Sequence, residues 1–142
     1  EGIAAIFLYG CDFSTISNCN VARSQVDGIK IADSDYCTVS GNTIQQFGLA
    51  GQYVSRGLLV VGTGNSVTGN TVDGSNNYGT QGIYVSGHSI SVTGNVASRI
   101  YHSGIEIAGD TTNFVVTGNT AKPGISNNAG TSATKIVEHN VV

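Results

Sequence analysis

Four side chains that can transfer protons or neutralise charge lie close together in the stretch SRIYHSGIE, residues 98–106. They are Arg99, Tyr101, His102 and Glu106. A guanidinium can neutralise a carboxylate, an imidazole can remove a proton near neutral pH, and a phenol or carboxylic acid can return one. The set would therefore suit general acid–base chemistry on an acidic substrate. The alternative is a loop whose Tyr packs on the neighbouring structure and whose charged groups are solvated.

The elements that must position this set repeat along the chain. SVTGNTV at 66–72 returns as SVTGNVA at 91–97, VVTGNTA at 115–121 and TVSGNTI at 38–44. Each Asn follows a β-branched residue by three positions and usually precedes an apolar residue by two, and Cys19 replaces the Asn in the first copy. Successive motifs lie 21 to 28 residues apart. This spacing is typical of solenoid repeats.

A second motif, Gly followed by alternating apolar residues, precedes most copies. It occurs at 28–31, 57–60, 82–85 and 104–107, with divergent forms at 5–8 and 124–125. Alternation with period two predicts short strands that bury one side. Because strands this short cannot bury that side alone, we expect successive coils to stack about 4.8 Å apart around one core. The sequence therefore predicts an all-β fold, a single-stranded parallel β-helix of about six coils.

The recurring Asn is predicted to be structural. At one corner of each coil its amide can bond the equivalent Asn above and below, and Asn or Gly tolerates the left-handed backbone of a sharp corner. The predicted ladder consists of Asn42, Asn70, Asn95, Asn119 and Asn140, with Cys19 as a buried thiol at the same corner of the first coil. These residues are therefore not interpreted as a catalytic row.

Composition and charge exclude several classes of protein. A net charge of -3 offers no basic face for nucleic acid, and no apolar run is long enough to span a membrane. The three cysteines lack metal-ligand spacing, which argues against both a disulfide framework and a zinc site. Aspartates on predicted turns could supply oxygen ligands to Ca²⁺, but they are scattered over several coils. No metal site or cofactor is predicted.

The pattern Gly-Ile-x-Ile followed by Val-x-x-Asn-x-Val resembles the right-handed parallel β-helix repeats of the pectate-lyase-like superfamily. This group includes pectate and alginate lyases, polygalacturonases, mannuronan epimerases and bacteriophage tailspike proteins. The resemblance covers essentially the whole chain, and the shared residues are those of the coil. It implies a right-handed coil, a polysaccharide groove along the first sheet, and a location outside the cell, on the bacterial surface or on a virion.

The family's catalytic motifs are absent or incomplete. VDGIKI at 26–31 resembles the first acidic motif of the polygalacturonases, and Gly87-His88 resembles part of their Gly-His-Gly, but RGLLVV stands where paired aspartates are expected. Pro123 is the only Pro, so the Asp-Pro-His motif of the epimerases is also missing. Hydrolysis needs two carboxylates about 5 Å or roughly 6.5 to 9.5 Å apart. No obvious pair occurs among the candidate acids Asp27, Asp33, Asp35, Asp73, Glu106 and Asp110.

Two functions are compatible with these observations. The first is polysaccharide recognition or depolymerisation by a lyase, hydrolase or epimerase, with Arg99 neutralising a uronate, His102 removing a proton and a Tyr completing the transfer. The column Phe7, Lys30, Leu59, Tyr84 and Glu106 would face the groove, with Tyr84 about 5 Å from Glu106. The predicted substrate-binding residues are Lys30, Tyr84, Arg56, Tyr53 and Tyr78.

The second function is that of a non-catalytic module, a stiff structural shaft of a phage tailspike or surface appendage that forms trimers or binds glycans. Phe7, Leu59 and Phe47, if exposed on one side, would fit such a contact between chains. Residues 1–142 are predicted to form one domain. Because open solenoid ends are normally covered, we expect the domain to be a piece of a longer chain, or its ends to be covered by other domains or chains.

Overall fold

A computed structural model describes residues 4–51, 54–74, 80–130 and 135–142, and all regular structure in these ranges consists of β-strands. In chain order the strands are β1 (Ile6–Tyr9), β2 (Thr15–Ser17), β3 (Asn20–Ala22), β4 (Ile29–Ala32), β5 (Thr38–Ser40), β6 (Thr43–Gln45), β7 (Arg56–Thr63), β8 (Ser66–Thr68), β9 (Thr71–Asp73), β10 (Gln81–His88), β11 (Ser91–Thr93), β12 (Val96–Ser98), β13 (Ser103–Ile107), β14 (Phe114–Thr117), β15 (Thr120–Ala121), β16 (Ile125–Asn127) and β17 (Lys135–Glu138).

Three parallel sheets run along the stack of coils. The first sheet has the order β1-β4-β7-β10-β13-β16, the second contains β2, β5, β8, β11, β14 and β17, and the third contains β3, β6, β9, β12 and β15. We number the coils 1 to 6 by their first-sheet strands. The predicted parallel solenoid is confirmed, including the divergent first-sheet strands of coils 1 and 6.

Alternation along each strand builds the core. Ile29 pairs in register with Leu58, Leu58 with Ile83, and Ile83 with Ile105, and all four are fully buried. The second sheet contributes a matching row of buried valines: Val39, Val67, Val92 and Val116. Burial of each such side chain stabilises the fold by about 1.5–3 kcal/mol relative to leaving it exposed. The core is therefore one continuous column that needs the stacked coils in a single register.

The Asn ladder lies at the corner between the second and third sheets. Asn42 Nδ2 donates to Asn70 Oδ1 at 3.0 Å, and the same contact repeats from Asn70 to Asn95 and from Asn95 to Asn119 at 3.0 Å, then to Asn140 at 2.9 Å. Each of these acceptor oxygens also takes the backbone N–H of the preceding Asn. The predicted ladder is confirmed.

The residue before the ladder Asn explains the rest of the TGN motif. In coils 2 to 5 it is a Gly with φ between 63° and 67°, a left-handed conformation that a side chain disfavours. Cys19 occupies the corner of coil 1, where its backbone N–H donates to Asn42 Oδ1 at 2.9 Å. Its thiol is only half-buried, which corrects the prediction of a buried one, and it donates to the carbonyl of Ser17 at 3.4 Å.

The predicted exposure of two apolar residues is wrong. Phe47 is 0% exposed, because its ring turns inward and fills the space that Gly57 leaves without a side chain. Leu59 is 6% exposed, although its position faces outward, and its register neighbours Lys30 and Tyr84 carry longer side chains that flank it. Phe7 is 46% exposed, as predicted.

Candidate functional site

The outward side of the first sheet, which we call the first-sheet face, presents a different side chain on every coil. Its central column consists of Phe7, Lys30, Leu59, Tyr84, Glu106 and Ser126, paired strand to strand. The predicted column is thus in register, with Tyr84 directly beside Glu106. Because side chains on neighbouring parallel strands are separated by about 4.8 Å, the column forms a continuous surface along the solenoid.

A hydrogen-bonded network crosses four coils of this face. Gln81 Oε1 accepts from Arg56 Nε at 2.8 Å, and Gln81 Nε2 donates to Glu106 Oε2. The hydroxyl of Ser103 donates to the same Glu106 oxygen at 3.1 Å, and Asn128 Nδ2 donates to the other carboxylate oxygen at 3.5 Å. A guanidinium can only donate and a carboxylate can only accept, so the two charges fix the orientation of the Gln81 amide between them.

Two cations lie over aromatic rings on this face. The guanidinium carbon of Arg56 is 4.5 Å from the Tyr84 ring centroid, and Lys30 Nζ is 5.2 Å from that of Phe7. Such contacts contribute about 0.5–1 kcal/mol at exposed sites. Within the described residues, the two terminal nitrogens of Arg56 donate to no protein acceptor. These two nitrogens are therefore available to donate hydrogen bonds to a ligand.

Asp27 lies at the edge of this face, one residue before the first-sheet Gly of coil 2. It is buried, and its Oδ1 accepts from the backbone N–H of Arg56 at 2.8 Å. Burial raises the pKa of the Asp27 carboxyl, while the hydrogen bond from Arg56 and the charges of Arg56 and Lys30 partly oppose that rise. Asp27 thus anchors the start of β7 and is not itself open to a polymer.

The structure divides the predicted catalytic set between two places. Arg99 lies in the loop after β12, where its guanidinium forms a two-pronged ion pair with the carboxylate of Asp73, with Nε 2.8 Å from Oδ1. This hydrogen bond and the negative charge of Asp73 raise the pKa of the Arg99 guanidinium above its ordinary value. Tyr101 and His102 are exposed, and their ring centroids lie 4.7 Å apart in an edge-on contact.

Glu106 belongs instead with the network of Arg56 and Gln81. Within the described residues no hydrogen bond or ion pair joins it to Arg99 or to the ring of His102. Lys30, Arg56, Tyr84 and Glu106 therefore share one surface, whereas the catalytic roles of Arg99, Tyr101 and His102 stay predictions. Tyr53 and Tyr78 lie outside the described residues.

Sequence reasoning missed Gln81, Ser103 and Asn128. The signal for the first two was present, because Arg56, Gln81 and Ser103 occupy the same place in successive repeats, directly before the first-sheet Gly. In the described ranges, no three His, Cys, Asp or Glu side chains come close enough to hold a metal ion. The same part of the chain contains no helix capable of crossing a membrane.

Comparison with known protein families supports the parallel solenoid. A family model described as a right-handed beta helix region matches residues 4–142. No curated protein and no solved structure matches the chain. The match covers almost the full sequence and agrees with the three parallel sheets of the structure.

Proposed function

Because the chain belongs to the right-handed β-helix family, we propose that its first-sheet face binds a polysaccharide. The observation that carries the proposal is the network from Arg56 through Gln81 and Glu106 to Asn128, which aligns hydrogen-bonding groups over coils 3 to 6. A polysaccharide is a periodic, hydroxyl-rich ligand, and this surface offers it donors and acceptors at intervals of about 4.8 Å. A location outside the cell, on the bacterial surface or on a virion, goes with this proposal.

The chemistry of coils 3 and 4 supports a sugar ligand. Arg56 is held over the Tyr84 ring and by Gln81, so its guanidinium is pre-oriented and less conformational entropy is lost when its terminal nitrogens bind a ligand. The exposed part of the Tyr84 ring provides an apolar surface beside those donors. Lys30, one coil before Arg56, adds a second cation with donors that no described acceptor occupies.

The positions of the acidic residues support a protein that binds a polysaccharide without hydrolysing it. Asp27 and Glu106 lie three coils apart, which corresponds to roughly 14 Å, beyond the carboxylate separations of retaining and inverting enzymes. Asp73 is occupied by Arg99, and both oxygens of Asp110 accept from the hydroxyl of Ser86 at 2.9 and 3.0 Å. A catalytic pair of carboxylates among these four acids therefore lacks support.

Depolymerisation by β-elimination is a second candidate, favoured by one observation. Tyr101 and His102 are exposed and directly precede Ser103, whose hydroxyl binds Glu106. Since Arg99 is paired with Asp73, neutralisation of a uronate would fall to Arg56 or Lys30. Incubation with polyuronates would then produce the ultraviolet absorbance of unsaturated uronate, and His102→Ala would abolish it while Arg99→Gln would not.

Glycan binding by calorimetry tests the main proposal. We expect the wild type to bind at least one member of a panel of acidic and neutral polysaccharides, and Arg56→Gln and Tyr84→Ala to weaken that binding about tenfold or more. Arg23→Gln is the matched control, because Arg23 is exposed at a coil corner where coil 2 carries Gln46 in the same left-handed conformation. A folded wild type that binds none of the panel would favour the shaft, for which light scattering should show a trimer.

A further inference from the structure

The end of the first-sheet face at coil 1 differs from the rest because it carries two aromatic rings and, among the described residues, no hydrogen-bonded network of side chains. Phe7 and Tyr9 both point outward from β1, and Tyr9 is 64% exposed. Their centroids lie 6.1 Å apart with the ring planes tilted by 46°. The register partner of Tyr9 is Ala32, whose small side chain leaves the flank of the ring open toward coil 2.

These rings differ from a second pair of exposed aromatic residues in the described part of the chain. Phe13 and Tyr36, at the corner between the first and second sheets, stack nearly parallel, with centroids 5.3 Å apart and planes 9° apart. Each of those rings covers one face of the other. Lys30 Nζ lies over the ring of Phe7, but the tilt between Phe7 and Tyr9 does not cover the face of Tyr9 in this way. Tyr9 can therefore offer a ring face to a ligand, with Phe7 beside it.

We propose that Phe7 and Tyr9 form a stacking subsite for the apolar face of a pyranose ring, and that one polysaccharide chain spans from this subsite to Arg56 and Tyr84. The inference rests on the proposed function, because it assigns a second contact to the same polysaccharide. Coil 1 and coil 4 are three strand spacings apart, so the chain must reach over roughly 14 Å.

The surface between the two contacts is suited to such a path. Its outward positions are Lys30 and Ala32 on coil 2 and Leu59 and Val61 on coil 3. Leu59 is buried between its longer neighbours, Ala32 is small, and these four positions include no acidic group. A polymer crossing them meets an apolar floor with one cation, and its hydroxyl groups can remain in water.

The size of the patch favours a sugar over a second copy of this protein. Stable protein–protein interfaces bury about 800 Å² on each partner and need a contiguous apolar centre. Leu59 and Phe47, which would have extended the apolar area, are both buried. The two remaining rings, Phe7 and Tyr9, are far fewer than the roughly 20–30 residues that each side of such an interface contributes.

The test measures how affinity depends on the length of the ligand. The probes are galacturonan and cellulose oligosaccharides from disaccharide to octasaccharide, titrated into wild type, Tyr9→Ala, Tyr9→Phe and Tyr36→Ala, with circular dichroism confirming that each variant is folded. We expect the affinity of the wild type to rise with length until the ligand spans the two contacts. Tyr9→Ala should lose about tenfold for the long oligosaccharides and nothing for the short ones, whereas Tyr9→Phe and Tyr36→Ala should behave as wild type.

Each other result overturns the inference in a recognisable way. If the wild type binds and Tyr9→Ala binds equally well at every length, the subsite is wrong and the proposed function stands. If the wild type binds none of the oligosaccharides of either series, the inference fails together with its premise. A wild-type dimer in light scattering that Tyr9→Ala converts to monomer would assign the patch to a second copy of the chain.

Discussion

The Asn corner and the first-sheet face are produced by the same repeat, yet they differ in how each coil uses its position. At the corner, coil after coil places the same amide, and each ladder amide from Asn42 to Asn119 is buried and fully hydrogen-bonded by its neighbours. On the face, successive coils place Lys30, Leu59, Tyr84 and Glu106 at one register position. Invariance along the stack therefore marks the part that holds the coils together, and variation marks the part available to a ligand.

The physical reason lies in the environment of each polar group. A buried amide that loses its partner costs free energy because water cannot replace it, so one coil cannot change independently of the next. An outward side chain can exchange its partner for water. The face can therefore carry a different chemistry on every coil without loss of the fold, and its networks contribute little to stability.

Removal of one ladder amide should give the largest effect. Asn95 Oδ1 accepts from both the backbone N–H and the side chain of Asn70, and its own Nδ2 donates to Val67 and Asn119. Asn95→Ala leaves several buried groups unpaired, so we expect the free energy of unfolding in urea to fall by about 3 kcal/mol or more. The control is Thr93→Ala, on the outward side of the second sheet, with a loss below about 1 kcal/mol. Equal losses in the two variants would contradict the structural role of the corner.

A substitution in the network should separate binding from stability. Gln81→Ala removes the bridge between Arg56 and Glu106, but both charges can turn to water. We expect glycan affinity to fall about tenfold while the free energy of unfolding changes by less than about 1 kcal/mol. A variant that unfolds as readily as Asn95→Ala would show that the face, too, holds the coils together.

The features that could be predicted from the sequence are those that the repeat fixes. The ladder and the register of Tyr84 beside Glu106 follow from spacing alone, because every coil must match its neighbours across three sheets. The partner of Arg99 could not be found in this way. Asp73 ends β9, and Arg99 directly follows Ser98, the register partner of Asp73. Because Arg99 lies at a corner with a left-handed backbone, the spacing of the repeat does not determine where its side chain points.

The burial of Phe47 and the role of Gln81 also could not be predicted, because both depend on which side chains lie next to them in the fold. Phe47 is apolar and lies in a loop, so its sequence position leaves open whether it faces the core or the solvent. The absence of a side chain at Gly57 decides this in favour of the core. Gln81 was missed because a neutral amide is not a reactive group. Its importance arises only where a cation and a carboxylate flank it.

The burial of Asp27, at the edge of the first-sheet face, can be tested by measuring how stability depends on pH. Burial raises the pKa of Asp27, so the folded protein holds this proton more tightly than the unfolded chain does. The contribution of Asp27 to stability is therefore fully present below the ordinary pKa of 3.8 and is lost as the pH rises through the folded-state value. Asp27→Asn keeps an acceptor for the Arg56 N–H but carries no charge. Its melting temperature relative to wild type should thus rise from pH 3 to pH 7, and a constant difference would exclude a buried charge.

The smallest effect is expected where the ladder ends. Asn at position 19 could donate to the Ser17 carbonyl, as Asn119 does to Thr117 at 3.1 Å, and to the oxygen of Asn42. Cys19→Asn should therefore raise the free energy of unfolding by about 0.5–1 kcal/mol. Cys19→Ser, which is too short to reach the next coil, should give no gain. Destabilisation by Asn would mean that the amide ladder is limited to coils 2 to 6, and that coil 1 is held to coil 2 by its backbone and core contacts alone.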